Sequence, residues 1–217
     1  MVDYSLAAFA AAERVASIVV AVPPGLSEEL RAAVAAQPKV LSVVVGGAAR
    51  QDSLARALEA VPKDAEVVAV HDAARPLVTS GVIGAVLTAL ADADGAIAAI
   101  PLDDAVKDVA EGGVIRGPRS RSGLWRAQTP QAFRRGCLEE ALQRSLADGV
   151  VCDDCSEMAT RIGYRVVVVP GSPRNLKVTR EADLEVCEAL LAAVPASLPA
   201  AVPASLPSSL QTGAGEW

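Results

Sequence analysis

An α/β fold, with a mostly parallel sheet covered by helices on both faces, is what this sequence predicts. Apolar runs rich in Val and Ile recur along the chain, amphipathic stretches separate most of them, and capping residues followed by acids mark several helix starts. Strands are expected at Ser17–Val22, Val40–Val45, Glu66–Val70, Gly95–Ile100 and Arg165–Val169. Helix starts are expected where Ser27 precedes Glu28 and Glu29, where Ser156 precedes Glu157, and where Thr179 is followed by Glu181 and Asp183. Between Val106 and Arg119 the pattern breaks into a polar segment in which Gly112-Gly113 predicts a tight turn between two short extended pieces. Such a β-arm is a common way to reach a partner subunit. After Ala193 the chain repeats Val-Pro-Ala-Ser-Leu-Pro, which predicts one folded domain over 1–193 and a Pro/Ala/Ser-rich disordered tail over 194–217.

With 52% hydrophobic residues in 217, the chain can bury one good core. A formal charge of −6 argues against a nucleic-acid face, which needs unopposed clusters of Lys and Arg. No apolar run approaches membrane-spanning length and the first twenty residues do not have the form of a secretion signal, so the chain reads as cytoplasmic, with no membrane partner. Four cysteines, Cys137, Cys152, Cys155 and Cys187, are too few and too irregular for a disulfide framework. Cys152 and Cys155 have C-x-x-C spacing, yet no second pair or suitably spaced histidine completes a zinc tetrahedron, so no resident metal ligands are expected.

The most informative segment is Val67-Val68-Ala69-Val70-His71-Asp72-Ala73-Ala74-Arg75-Pro76, which runs a strand into an acid and an arginine. Ligands of open α/β sheets bind at such carboxyl strand ends. Asp72 can accept hydroxyl hydrogen bonds or help hold a divalent cation, and Arg75 can fork onto a phosphate. The same two residues could instead tie down a turn. Gly46-Gly47-Ala48-Ala49-Arg50-Gln51-Asp52-Ser53 follows a strand and leads into a helix, where glycines permit close backbone approach and the helix start offers free N–H donors. Its spacing fits neither a dinucleotide fingerprint nor a Walker loop. Three arginines crowd Arg119–Gln131 beside a polar Thr129-Pro130-Gln131 turn, and Lys177 lies in a loop before the last helix.

Taken in order, Gly46-Gly47…Arg50-Gln51-Asp52-Ser53, His71-Asp72-Ala73-Ala74-Arg75-Pro76, Gln128-Thr129-Pro130-Gln131-Ala132-Phe133 and Asn175-Leu176-Lys177-Val178-Thr179 strongly resemble the 2-C-methyl-D-erythritol 4-phosphate cytidylyltransferase family, from about Ser5 to Leu191. The resemblance implies a Rossmann-like nucleotidyltransferase fold and a homodimer formed through the β-arm. It also implies cytidylyl transfer from CTP to the methylerythritol phosphate, with Mg²⁺ as cofactor and pyrophosphate released. By the same similarity Lys177 stabilises the transition state, Gly46, Gly47 and Ser53 cradle the cytosine, and Asp72 and Ala73 lie near the ribose. Asp72, Arg75, Arg121 and Thr129 hold the methylerythritol phosphate, with Arg121 offered across the dimer.

Members of this family open with a strand and a glycine-rich A-A-G-x-G-x-R loop that wraps the triphosphate. Here Met1-Val2-Asp3-Tyr4-Ser5 matches the helix after that loop, so the first strand and part of the phosphate grip are expected to be missing and activity to be low. Ala105 stands in Asp104-Ala105-Val106-Lys107 where the family carries threonine, and Cys152 stands before Asp153-Asp154 where a threonine is common. Two other readings stay open: a non-catalytic, sugar-phosphate-binding dimeric remnant, and a cytidylyltransferase for another polyol phosphate such as ribitol 5-phosphate.

Overall fold

The computed structural model describes residues 1–193, so the tail expected over 194–217 lies outside the described residues. The elements run α1 (Val2–Ala11), β1 (Ile18–Val22), α2 (Glu28–Ala35), β2 (Val40–Val45), α3 (Arg50–Ala60), β3 (Val67–Val70), α4 (Ser80–Ala89) and β4 (Gly95–Pro101). They continue with β5 (Val106–Val109), β6 (Ile115–Arg119), β7 (Trp125–Arg134), α5 (Arg135–Ala147), α6 (Cys155–Arg161), β8 (Val166–Pro170) and α7 (Glu181–Ala192). All five strands expected from the apolar runs form.

The sheet is mixed. β1 pairs parallel with β2, and β4 pairs parallel with β8, while β7 runs antiparallel between β3 and β4 in a sheet ordered β3-β7-β4-β8. The expectation of a mostly parallel sheet therefore needs correction at its centre. Gln128-Thr129-Pro130-Gln131, read from sequence as a polar turn, lies inside β7 and is buried. Its polar side chains are satisfied by neighbouring loops, and Pro130 falls where the β4–β7 register jumps between Ile97 and Ala99, so no ladder donor is needed from it.

Alternation along the strands sorts the core into two layers. Ile97 and Phe133 face a cluster with Leu54, Leu58, Leu138, Leu142 and Met158 from α3, α5 and α6. Their neighbours Ala96, Ala98 and Ala132 face Phe9, Ile83, Val86 and Leu87 from α1 and α4. Phe133 is 0% exposed, and a Cβ added at Gly95 would come within 2.4 Å of its ring. Phe133→Ala is therefore expected to lower unfolding stability by about 3–5 kcal/mol, read from urea denaturation; a loss below about 1 kcal/mol would contradict this packing.

The β-arm forms as β5 and β6, antiparallel, with Gly112 and Gly113 at φ +82° and +81° in the turn. Only glycine holds such a pair without strain. Val109, Val114 and Ile115 stand exposed on it. Helix α2 is capped as expected, Ser27 Oγ accepting from the Leu30 N–H. The other two caps are set by carboxylates instead, which accept hydrogen bonds more strongly than hydroxyls. Asp154 Oδ1 accepts the Glu157 N–H at 2.8 Å and the Ser156 hydroxyl at 2.7 Å, and Asp183 accepts both N–H groups of Thr179 and Arg180.

Candidate active site

Four loops converge at one end of the sheet, and a single carboxylate organises them. Asp72, just beyond β3, lies 3.2 Å from Lys177 Nζ, 3.8 Å from Arg75 Nε and 4.0 Å from Arg50 Nε. Its side chain is only 20% exposed. Three cations share this one carboxylate, an arrangement that suits a ligand carrying phosphates, and Asp153 and Asp154 line the opposite part of the same cavity. A cavity of about 200 Å³ opens here, lined by Arg50, Asp72, Arg75, Thr129, Asp154 and Lys177 among others.

The loop that carries Asp72 is held by a relay of hydrogen bonds. The Asp72 N–H donates to Thr129 Oγ1 at 3.0 Å, that hydroxyl donates to His71 Nδ1 at 2.9 Å, and His71 Nε2 donates to the Arg75 carbonyl at 3.2 Å. The relay requires neutral histidine. His71 packs on the Phe9 ring at 5.0 Å, and burial pulls its pKa down from 6.5 to about 4, with nearby Arg75 lowering it further and Asp72 pulling the other way. Above pH 6.5 both folded and unfolded chains carry neutral His71, and the full stability is present. As pH falls from 6.5 toward 4 only the unfolded chain takes up the proton, so about 3 kcal/mol is expected to be lost across that window. Urea denaturation at pH 7.5 and pH 4.5 should show the fall in the parent and a shallower one in His71→Gln; parallel profiles would disprove the assignment.

Lys177 is placed by the residues around it. The Val178 N–H donates to the Ala74 carbonyl at 2.8 Å, and Asn175, 0% exposed, donates from Nδ2 to the Thr129 carbonyl at 2.8 Å. Gln128 Nε2 donates to the Ser172 carbonyl at 2.8 Å. Arg75 spends Nη1 on the Asn175 carbonyl at 2.9 Å and Nη2 on the Ala127 carbonyl at 3.3 Å, while its buried Nε has no hydrogen-bond partner. Arg75 thus ties β7 to the Lys177 loop, a task the sequence offered only as the alternative to phosphate binding.

Gly46 and Gly47 are required by the loop itself. A Cβ at Gly46 would meet Ser53 Oγ at 2.7 Å, and one at Gly47 would meet Asp52 Cβ at 2.1 Å. Ser53 Oγ accepts the Gly47 N–H at 3.1 Å and donates to the Ala49 carbonyl at 3.2 Å. This compact loop sets the start of α3, from which Arg50 reaches both Asp72 and Cys155, its two Nη atoms each 3.5 Å from Sγ. Burial pushes the Cys155 thiol up, offset in part by Arg50. Cys152 and Cys155 are buried and unbridged.

Of the residues selected from sequence, Asp72, Arg75, Thr129 and Lys177 come together, Ser53 and exposed Ala73 line the adjoining cleft, and Gly46 and Gly47 pack against Ser53 and Asp52. Arg121 does not join them within one chain: it sits at the base of the arm, donating to the Asp103 carbonyl. Sequence reading passed over Arg50, His71, Gln128 and Asn175 as individual site residues. Each lies within a segment already selected, and only their side-chain partners reveal the part they take.

The model of the family "IspD: 2-C-methyl-D-erythritol 4-phosphate cytidylyltransferase" matches residues 1–193. The chain is 43% identical over 172 residues to the 2-C-methyl-D-erythritol 4-phosphate cytidylyltransferase of Symbiobacterium thermophilum, covering 79% of this chain and 73% of that protein. It is 41% identical over 190 residues to the protein of the same name from Acidobacterium capsulatum, covering 84% of this chain and 79% of the relative. The crystal structure of 2-C-methyl-D-erythritol 4-phosphate cytidylyltransferase from Thermus thermophilus superposes with a TM-score of 0.76 at 31% identity, covering 88% of each chain. The resemblance first seen in four short motifs thus extends through the described fold, and the chain belongs to the 2-C-methyl-D-erythritol 4-phosphate cytidylyltransferase family.

Proposed function

We propose that this chain transfers a cytidylyl group from CTP to 2-C-methyl-D-erythritol 4-phosphate in isoprenoid precursor biosynthesis. The observation that carries this reading is the convergence of Lys177, Arg75 and Arg50 on Asp72. A phosphate oxygen of the polyol attacks the α-phosphorus of CTP, the bond to the bridging oxygen breaks, and pyrophosphate leaves with that electron pair. The nucleophile is already anionic, so no general base is needed. The chain's task is to hold two polyanions together and offset their charge.

Lys177 carries charge toward the transferring phosphoryl group, while Asp72 accepts hydroxyl hydrogen bonds and keeps the cations apart. Gly46, Gly47 and Ser53 form the wall for the base, and Ala73 leaves space beside Asp72 for the ribose. Arg75 and Thr129 act on the polyol phosphate mainly by fixing the loops it meets, the Thr129 hydroxyl donating to His71 and each Nη of Arg75 donating to a backbone carbonyl.

A magnesium ion fits this donor set as one carried on the triphosphate. Asp72 is the carboxylate facing the cluster, Asp154 is committed to capping α6, and no group of three or more acidic, histidine or cysteine side chains is assembled among the described residues. Mg²⁺ commonly binds through one or two carboxylates plus substrate phosphates, and when bound it neutralises charge on the phosphates. Dimerisation through the arm would cover Val109, Val114 and Ile115 and bring Arg121 toward the partner's site.

Pyrophosphate release from CTP, strictly dependent on the methylerythritol phosphate and Mg²⁺, tests the reading. Ala105 stands in place of a hydroxyl, the observation that favours the alternative of a non-catalytic, sugar-phosphate-binding dimeric remnant. Calorimetric binding of the methylerythritol phosphate without pyrophosphate release would establish that alternative, and turnover only with ribitol 5-phosphate would move the substrate.

A further inference from the structure

β7 and the loop after β8 are not neighbours in the sheet, since β4 lies between them. One side chain joins them nonetheless. The β4–β7 ladder breaks between Ala99 opposite Ala127 and Ile97 opposite Gln131, so that Gln128–Pro130 stand against Ala98 alone. Such an irregularity re-aims a side chain out of the regular pleat. Gln128, 4% exposed, reaches from it past β4 to residues 172–175, the stretch that leads into Lys177.

The amide of Gln128 is fully used there. Nε2 donates to the Ser172 carbonyl at 2.8 Å and to the Asn175 carbonyl at 3.2 Å, and Oε1 accepts from the Ser172 N–H at 3.2 Å and from Asn175 Nδ2 at 3.4 Å. Two carbonyls face its nitrogen and two donors face its oxygen, a pattern that no other side chain of this length can meet. Ionised glutamate has no donor, methionine has neither group, and asparagine is one methylene short. Gly171 makes the room: a Cβ there would lie 2.3 Å from Gln128 Oε1 and 3.2 Å from the Ala99 carbonyl oxygen. The backbone at Gly171 is not left-handed, so it is this close approach that calls for glycine.

We propose that Gln128 is the positioning residue for Lys177, fixing its ammonium relative to the Thr129–Asp72 side of the site; this role in catalysis rests on the assignment of cytidylyl transfer to the chain. Thr129 follows Gln128 directly and its hydroxyl accepts the Asp72 N–H, while Lys177 follows Asn175 by two residues. One amide thereby connects the part of the site that holds Asp72 to the part that carries the free cation. The loop stays attached without it. The Gly171 N–H donates to the Ala99 carbonyl and the Val178 N–H to the Ala74 carbonyl, each at 2.8 Å. Loss of the amide therefore frees the middle of the loop, which carries Lys177, and leaves its ends in place. In-line transfer tolerates such play poorly, a misplacement of about 1 Å costing roughly 100-fold in rate.

Gln128→Met, Gly171→Ala and the double variant of the full chain test this, once by rate and once without substrates. In each single variant kcat for cytidylyl transfer is expected to fall roughly 10–100-fold, with KM for CTP changed by less than about threefold. The double variant should fall no further than Gln128→Met, because both substitutions act through the same amide. Gln128→Glu should approach the parent's rate as the pH is lowered, since only the protonated acid can donate to a carbonyl. Without substrates, acetic anhydride should label Lys177 about threefold faster in each variant than in the parent, measured against exposed Lys63, because the ammonium is no longer held beside Asp72. Unchanged labelling in variants that unfold cooperatively overturns the proposal, and so does a rise in KM with kcat intact or additive losses in the double variant. Should Gln128→Met fail to fold, Gly171→Ala and Gln128→Glu carry the same comparison. A parent without cytidylyl transfer sinks that assignment alone, and the labelling then decides for or against Gln128.

Discussion

Replacing Lys177 with methionine is expected to lower kcat for cytidylyl transfer by roughly 10²–10³-fold while changing KM for either substrate by less than about fivefold. Methionine keeps the apolar stem and removes the ammonium, so the loop is not emptied. The side chain is 46% exposed and touches Asp72 at 3.2 Å, so its pairing contributes little to folding and the charge is available to a ligand. Charge on the equatorial oxygens of the transferring group grows only as the bond to pyrophosphate loosens, and a cation fixed beside it acts on the transition state more than on bound CTP. Lys177→Arg should recover only part of the rate, because the planar guanidinium cannot sit as a compact point charge in the same space. Steady-state kinetics on both variants checks this. A rise in KM with kcat intact would assign Lys177 to ground-state binding and remove it from the chemical step.

Five strands were legible in the sequence because apolar runs of Val, Ile and Ala have no other stable place in an α/β chain. β7 was not. Its middle is Gln128-Thr129-Pro130-Gln131, and nothing local tells a buried polar strand from a turn when its partners lie in loops 23 to 58 residues away. Such a segment becomes a strand only because β3 and β4 pair with it and because Asp72, His71, Ser172 and Asp154 meet its polar groups. The site followed the same rule. Asp72 and Lys177 were legible as charge at strand and loop ends, and so was Arg75, whose added part as a tie between loops was not, since it depends on two distant backbone carbonyls that accept from its Nη groups. His71 stood one residue from Asp72 and gave no signal, since its part depends on the Thr129 hydroxyl and the Phe9 ring.

The second large effect is expected at Asp72. Asp72→Asn preserves shape but takes away the carboxylate that Arg50, Arg75 and Lys177 share, raising the charge of these four side chains from plus two to plus three. Catalysis should fall by at least ~100-fold, because the asparagine accepts a substrate hydroxyl weakly and no longer draws Lys177 inward. Stability should fall by about 1–2 kcal/mol, since the cations then repel one another in a site only partly open to solvent. Anion binding should move in the opposite direction. Inorganic pyrophosphate at a fixed concentration is expected to raise the Tm of Asp72→Asn more than that of the parent, since it supplies the negative charge the variant lacks. A purely structural Asp72 would give the same loss of stability with no gain in response to pyrophosphate. A carboxylate serving chiefly as the ligand of a magnesium ion would leave the pyrophosphate response unchanged without Mg²⁺ and abolish its enhancement by Mg²⁺. Thermal scans of both proteins, with and without pyrophosphate and Mg²⁺, separate these roles without relying on turnover.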